Sequence, residues 1–379
     1  MKYRNFGKID WKPSALGFGA MRLPVENEDR GNIKEDEAID MIRWAFDNGV
    51  NYIDTAWPYH EGNSETLVGK ALKDGYRKKV KVATKLPSWE IEKADDPDEI
   101  FEEQLKKLDI EKIDFYLIHS LNKKRWDELQ SVDIDIFEWM KDKRDEGKID
   151  YLGFSFHDDL ETFKEIVDTY DWDFCQIQYN YLDQDFQAGK SGLRYAAEKG
   201  LGVVIMEPLR GGKLAKEPPT SIKKIWSEAE TDRSPVEWAL KWLWNQPEVS
   251  LVLSGMSELK QVKENVRYAS ESGEDILTEK DKKIINKVAK KYMEISPVEC
   301  TGCNYCVPCP NDVSIPRNFR IYNESEIYDE FDKYKKMWDE RMNEDSRASN
   351  CVECGQCMDS CPQHIDIIER LKEVSEYFS

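Results

Sequence analysis

Eight short runs rich in β-branched and aromatic residues, each followed by a longer amphipathic stretch, dominate the first two thirds of the chain. The candidate strands are residues 15–21, 52–56, 80–86, 115–120, 151–157, 174–180, 202–209 and 249–256. Helical patterns fall at 34–48, 64–73, 98–108, 134–146, 160–168, 190–199, 234–244 and 257–268. Strict strand–helix alternation requires right-handed crossovers and a parallel sheet. Eight such units in this length fit an α/β fold of the closed (β/α)8 TIM-barrel type better than an open doubly wound sheet. The barrel is expected over residues 1–272. Segments 3–7 and 9–13 read as a small hairpin that would plug its N-terminal end.

Eight of the nine cysteines lie near the C-terminus in two tight runs. Cys300, Cys303, Cys306 and Cys309 read C-x2-C-x2-C-x2-C-P; Cys351, Cys354, Cys357 and Cys361 read C-x2-C-x2-C-x3-C-P. The second spacing is that of bacterial two-cluster ferredoxins, in which the last cysteine of a run serves the other cluster. Zinc ribbons instead separate C-x2-C pairs by a longer segment, so two 4Fe–4S clusters are favoured over two zinc ions. By analogy with the ferredoxin pattern, Cys300, Cys303, Cys306 and Cys361 would hold one cluster. Cys351, Cys354, Cys357 and Cys309 would hold the other. The acidic and aromatic insert at 310–350 is long for a compact βαβ ferredoxin and fits a mainly helical ferredoxin-like domain over 299–379. A charged helix at 278–292, within a linker over 273–298, precedes it.

Composition narrows the partners. A net charge of −20 argues against nucleic acid, because phosphate contacts need a basic surface. It is read first as a well-solvated surface, with a basic redox partner docking on the acidic face as the alternative. No stretch approaches the roughly 18 apolar residues of a membrane-spanning helix, so no membrane partner is expected. The opening MKYRNFGKIDW lacks the apolar centre of a signal peptide. A cytoplasmic location, where thiols stay reduced, is therefore expected.

Barrels carry their chemistry at the C-terminal ends of their strands. That rule selects Asp54, Lys85 and His119, with Tyr59 five residues past Asp54. A tyrosine hydroxyl, with a reference pKa of ~10, donates a proton poorly near neutrality. A neighbouring lysine ammonium favours the phenolate and so eases donation. An aspartate keeps that lysine charged and aimed, and a histidine orients a substrate oxygen or shares the donor role. Taken singly, each has a structural reading: Asp54 as a cap, Lys85 and Tyr59 as surface side chains, His119 as a core histidine. Four in register at three successive strand ends point instead to a proton-donor system for carbonyl reduction.

The neighbourhoods GVNYIDTAWPY (49–59), VATKLP (82–87) and DFYLIHS (114–120) resemble the aldo-keto reductases. With its cysteine runs, the whole chain is similar to the subgroup of that family fused to a 4Fe–4S ferredoxin-type domain. The resemblance covers about residues 1–270 and implies that Asp54, Tyr59, Lys85 and His119 form the family's tetrad. It implies an NAD(P)H-dependent oxidoreductase that reduces an aldehyde or ketone, or oxidises the alcohol, by hydride transfer with Tyr59 as proton donor. The cofactor, NADP(H) or NAD(H), would bind without a Rossmann fingerprint; GNSETLVGKAL has the wrong spacing for a phosphate loop. Implied nicotinamide contacts are Ser155 and Gln176, with Met206 where the family usually stacks an aromatic ring. Backbone groups of Leu209, Gly211 and Gly212 would cover the pyrophosphate. Gly255, Ser257, Gln261, Glu264 and Asn265 match the family's G-x-S-x-x-x-Q-x-x-E-N pattern for the adenosine end. Two positions depart from the family: Phe156 follows Ser155 in place of asparagine, and a methionine packs less specifically than a ring. Glu258 stands where a basic residue often meets the 2′-phosphate of NADPH, with Lys260 nearby. Both dinucleotides therefore stay open, the family's usual preference leaning to NADPH.

Trp57, Trp89 and Tyr181 either line a pocket for an apolar or planar carbonyl compound or pack beneath loops. His157, at the end of the fifth strand, is placed to face the site. His364 reads as a local cap, and Cys175 as a small core residue. A nicotinamide delivers two electrons together whereas a cubane exchanges one at a time, and the sequence shows no flavin motif to convert between them. Clusters that stabilise the domain or tune the site are the first expectation. An electron-transfer protein relaying electrons between its clusters and a redox partner is the alternative, and a barrel that senses a nicotinamide without turnover is a third.

Overall fold

The computed structural model describes residues 1–379 apart from Asp133 and Cys303. Its contacts divide the chain into two units: Met1–Pro208 with Glu237–Leu277, and Leu209–Val236 with Thr278–Ser379.

In the first unit β1 (Leu16–Gly19), β2 (Tyr52–Asp54), β3 (Lys81–Leu86), β4 (Ile113–Leu121), β5 (Ile149–Phe156), β6 (Phe174–Gln178), β7 (Gly202–Met206) and β8 (Leu251–Gly255) close in chain order into a parallel barrel. All eight expected strands are present, several of them shorter than their apolar runs. Outer helices bury the face that their periodicity marks. Ala38, Met41, Ile42, Ala45 and Phe46 of helix Glu35–Asp47 form the i, i+3, i+4, i+7, i+8 stripe. Asn122, Asp135 and Asp159 start helices Lys123–Ser131, Ile136–Asp145 and Leu160–Thr169 by accepting bonds from the first-turn amides. The first of these helices has no counterpart in the sequence reading, although its Asn122 cap is a visible start signal.

The opening residues do form antiparallel bridges, Tyr3 with Ser14 and Phe6 with Ile9. Phe6 is fully buried against Tyr52, Phe115, Phe174 and Leu251, which contributes about 2 kcal/mol. Gly202 makes room for it: a Cβ there would lie 2.3 Å from the Phe6 ring. Arg4 fastens the plug by donating to the carbonyls of Val249 (2.7 Å), Trp244 (3.0 Å) and Gln246 (2.7 Å).

The second unit is helical: Thr220–Trp226, Glu279–Ile295, Ile315–Tyr328, Phe331–Arg341, Gln356–Asp359 and Ile367–Tyr377. A capping box starts Glu279–Ile295, Thr278 and Asp281 each accepting the other's backbone N–H at 3.1 Å. Phe319, Trp338, Leu371, Phe378 and Cys361 are among the buried residues of its core. The segment Leu209–Val236, which the strand–helix pattern puts inside the barrel region, makes its contacts here. Tyr328 donates to the Glu217 carbonyl (2.9 Å), and Lys280 and Lys287 pair with Glu230 and Glu228. Among the described residues no helix is long and apolar enough to cross a membrane.

Candidate functional site

Register decides which side chains meet. Asp54, the last residue of β2, lies beside Ala83 on β3, two positions before Lys85 on the same face. The Lys85 ammonium donates to Asp54 Oδ1 at 2.7 Å and to the Thr55 carbonyl at 2.8 Å. Both residues are buried, at 0% and 3% exposure. Burial pushes Lys85 down and Asp54 up, and each partner opposes the other's shift. Asp54 Oδ2 is buried with no hydrogen-bond partner among the described residues.

Tyr59 stands in the tight turn Tyr59–Gly62 after β2. The Lys85 ammonium lies 4.9 Å from the centre of its ring, and the His119 ring meets it edge-on at 5.9 Å. Burial, then the charges of Lys85, Arg125 and His157, hold His119 well below the ordinary histidine range, so its ring is neutral at pH 7. Trp89 packs on His119 at 5.1 Å and carries the Arg125 guanidinium 4.5 Å from its own ring centre. Of the other nominated aromatics, Trp57 lies under the Lys107 ammonium (3.8 Å) and Tyr181 is buried against Trp242. Cys175 is fully buried, and burial pushes its thiol up.

Two side chains behind Lys85, Glu65 and Gln104, escape the sequence reading. Glu65 accepts from Thr84 Oγ1 (2.6 Å) and Gln104 Nε2 (2.8 Å); Gln104 also donates to the Lys85 carbonyl (2.9 Å) and accepts from Tyr116 (2.8 Å). This network fixes the backbone of β3 where Lys85 leaves it. In one sequence Glu65 and Gln104 look like solvated helix positions. Arg125 was likewise unmarked.

The nominated nicotinamide contacts are neighbours on β5, β6 and β7. Ser155 pairs in register with Gln176 and accepts the Ser120 N–H at 2.7 Å. Gln176 Nε2 lies 3.7 Å from the Met206 sulfur, while its buried Oε1 has no partner among the described residues. That open acceptor fits a carboxamide N–H. At the adenosine end Gly255 closes β8, Gln261 accepts the Ser257 N–H (2.9 Å), Asn265 donates to Ser254 Oγ (3.1 Å), and Glu264 faces Lys260 at 3.9 Å. Leu209, Gly211 and Gly212 belong to the second unit, where Leu209 accepts the Gly212 N–H at 3.0 Å.

The thiols of the second unit sort into two cradles. A cavity of about 210 Å³ is lined by Cys309, Cys351, Cys354 and Cys357. A much smaller one of about 20 Å³ is lined by Cys300 and Cys361. Cys306 borders both, and Cys303 lies outside the described residues. Burial raises the Cys357 thiol to about 11, helped by Cys351, Cys354 and Cys309, so these four sulfurs feel one another. Backbone amides of Ile365, Gln363 and His364 bond to the Cys361 sulfur. Zinc bonded at ~2.3 Å needs its sulfurs within roughly 4 Å of one another. Among the described residues no group of three His, Cys, Asp or Glu side chains is arranged to hold a single metal ion. The larger cradle has room for a cubane; the smaller would have to open around one.

Residues 299–365 match the 4Fe-4S dicluster domain, and residues 15–289 match the aldo/keto reductase family. The NADH-specific methylglyoxal reductase of Escherichia coli (strain K12) is 28% identical over 311 residues, which cover 70% of this chain and 93% of that protein. L-Galactose dehydrogenase of Arabidopsis thaliana is 28% identical over 294 residues, covering 72% and 89%. An aldo-keto reductase from Bacillus halodurans, solved in its holo form, superposes with a TM-score of 0.62 at 28% identity over 76% of this chain and 96% of its own. The chain belongs to the aldo/keto reductase family, as an oxidoreductase whose barrel is followed by a 4Fe-4S dicluster domain.

Proposed function

We propose that the barrel reduces a small aldehyde or ketone, or oxidises the corresponding alcohol, with Tyr59 as the proton donor and NAD(P)H as the hydride source. The observation that carries this reading is the buried Asp54–Lys85 pair, 2.7 Å long, with its ammonium 4.9 Å from the Tyr59 ring. An ammonium in a water-poor site stabilises phenolate as the proton leaves. Asp54 keeps that charge in place, and neutral His119 orients the carbonyl oxygen by hydrogen bonding. Ser155 and Gln176 are the side chains that would hold the carboxamide. When bound, the reduced nicotinamide supplies two electrons and a proton as one hydride.

Glu258 stands at the position where the family often carries a basic residue for a 2′-phosphate, and Lys260 faces Glu264 at 3.9 Å. We read this grip as favouring NADH, and fluorescence titration with both dinucleotides tests it: tighter NADPH binding would reverse the choice. Tyr59→Phe keeps the ring and removes the proton. Turnover of methylglyoxal should fall by about 10²–10⁴ while dinucleotide affinity holds. Carbonyl reduction at the wild-type rate in this variant would defeat the reading.

The cradles support two 4Fe–4S clusters, on Cys300, Cys303, Cys306 and Cys361, and on Cys309, Cys351, Cys354 and Cys357. A second reading, electron relay to a redox partner, draws support from the larger cradle. Cys354 is exposed, and so are its neighbours Val352 and Val307. Anoxic electron paramagnetic resonance after NAD(P)H addition separates the readings, since a relay requires the clusters to become reduced.

A further inference from the structure

The turn that carries Tyr59 is held in a conformation the backbone alone disfavours. His60 (φ 53°), Glu61 (φ 56°) and Gly62 (φ 87°) follow one another in the left-handed region. Only glycine enters it without steric cost, so two of the three residues need compensating contacts. His60 makes them. It is 7% exposed, the Leu23 N–H donates to its Nε2 at 3.1 Å, and its Nδ1 lies 2.8 Å from the Arg30 carbonyl oxygen. A backbone amide can only donate, so Nε2 is the bare acceptor. Nδ1 must then carry the proton that reaches Arg30. Both partners belong to the connection after β1, residues 20–34. Asn63 of the same turn adds a bond to the Gly31 carbonyl at 3.0 Å. The fit is close at that point: a Cβ on Gly31 would lie 2.6 Å from Glu61 Oε2.

We propose that neutral His60 is a positioning residue, which fastens the Tyr59 turn to the connection after β1 through Leu23 and Arg30 and thereby fixes where the phenol stands. The role rests on Tyr59 being the donor proposed above. Protonating the ring would set a second N–H against the Leu23 N–H, donor against donor, and that bond would be lost. The groups that act on the ring are the Arg30 guanidinium and carbonyl and the Met21 carbonyl, all from the connection. The Met21 carbonyl would accept the new proton in part, so the turn loosens rather than opens. Burial places the titration of His60 below the ordinary histidine range; the Arg30 carbonyl opposes that shift and the Arg30 guanidinium adds to it. Activity therefore weakens on the acid side as His60 gains its proton.

The test compares wild type, His60→Gln and His60→Ala as full-length, anoxically purified proteins. Methylglyoxal is the probe carbonyl and NADH the reductant. Glutamine keeps one donor and one acceptor but does not titrate. His60→Ala should lower kcat by about tenfold or more, because small displacements of a reacting group cost that much. The KM for NADH should stay within about twofold, as ground-state binding is untouched. His60→Gln should recover most of kcat and lose the acid-side fall. Amide exchange read by mass spectrometry reports the tie directly: peptides spanning 20–34 and 56–64 should lose protection in His60→Ala and keep it in His60→Gln. Unchanged kcat in His60→Ala, or an acid limb kept by His60→Gln, overturns the positioning role. Unchanged exchange in His60→Ala overturns the tie. If none of the three proteins reduces methylglyoxal while exchange responds as described, the tie stands and the donor reading of Tyr59 falls.

Discussion

Replacing Lys85 by methionine separates what the buried ion pair does for the fold from what it does for chemistry. Methionine follows the lysine stem closely, so little volume changes. What disappears is the ammonium and its bonds to Asp54 Oδ1 (2.7 Å) and the Thr55 carbonyl (2.8 Å). Asp54 is then left at 3% exposure with no counter-charge. Removing one partner of a buried pair costs about 3–5 kcal/mol. Burial already pushes Asp54 up, so its carboxyl takes a proton in the variant and the loss stays near the lower figure. For a barrel of this size each kcal/mol is worth roughly 2–4 °C of melting temperature, which puts the drop at roughly 6–12 °C. Adding Asp54→Asn removes the stranded charge, and most of the lost melting temperature should return, since a buried pair is close to neutral against uncharged residues of similar volume. Turnover should not return, because no ammonium is left beside Tyr59. Thermal unfolding and methylglyoxal reduction, measured on the same preparations, read the two effects apart. A single variant that melts with wild type would show that the pair is not a buried-charge device. A double variant that regains turnover would refute the role given to the ammonium.

The remaining predictions concern the cradles, the pH response and one close packing point. Cys309→Ser should cost about half the iron bound per chain, as expected for one of two independent clusters, and Cys309→Ser with Cys354→Ser should lose no more; complete loss in the double variant would break the crossed assignment. His119 stays neutral in the fold while the unfolded chain takes up its proton near pH 6.5. The unfolded state therefore binds more protons, and stability falls as pH drops below that value, by up to about 1.4 kcal/mol per pH unit. Urea unfolding of His119→Gln should show a shallower fall on the acid side, and slopes equal to wild type would contradict the assignment. At Gly211 (φ +66°) a Cβ would lie 1.8 Å from the Thr301 carbonyl oxygen. Gly211→Ala should lower iron retention and expose 209–236 to limited proteolysis, and wild-type behaviour in both would contradict the packing.

What could be read from the sequence follows from how local each signal is. The eight strands announce themselves by their apolar runs, and closure follows from their number. Asp54, Lys85 and His119 sit at strand ends whose positions those runs fix, so their convergence is legible before any coordinates. The opening hairpin is legible for the same reason. His60 is not: a histidine after Tyr59 carries no mark of a left-handed φ, which only its two ring bonds reveal. Glu65 and Gln104 fall on amphipathic helices, where a polar residue reads as solvated until tertiary contacts bury it. The boundary between the two units is the least legible feature. Residues 209–236 fall in the stretch between the seventh strand and the next helix, inside the expected barrel range, yet partners of theirs lie about a hundred residues later, among them Thr301 and Tyr328.

Two redox modules share this chain. A hydride moves two electrons at once and a cubane one, so electrons do not pass simply from one to the other. Gly211 of the segment Leu209–Val236 abuts the loop between Cys300 and Cys306, Arg210 reaches Glu299 at 3.7 Å, and Lys213 bonds to Ser296. These contacts exist only while that cysteine loop keeps its shape, and three of its thiols are assigned to one cluster. A cluster that holds the cysteine loop in shape would therefore also order the segment Leu209–Val236 within the second unit. Such a cluster would have a structural role in that unit even if it never changed oxidation state.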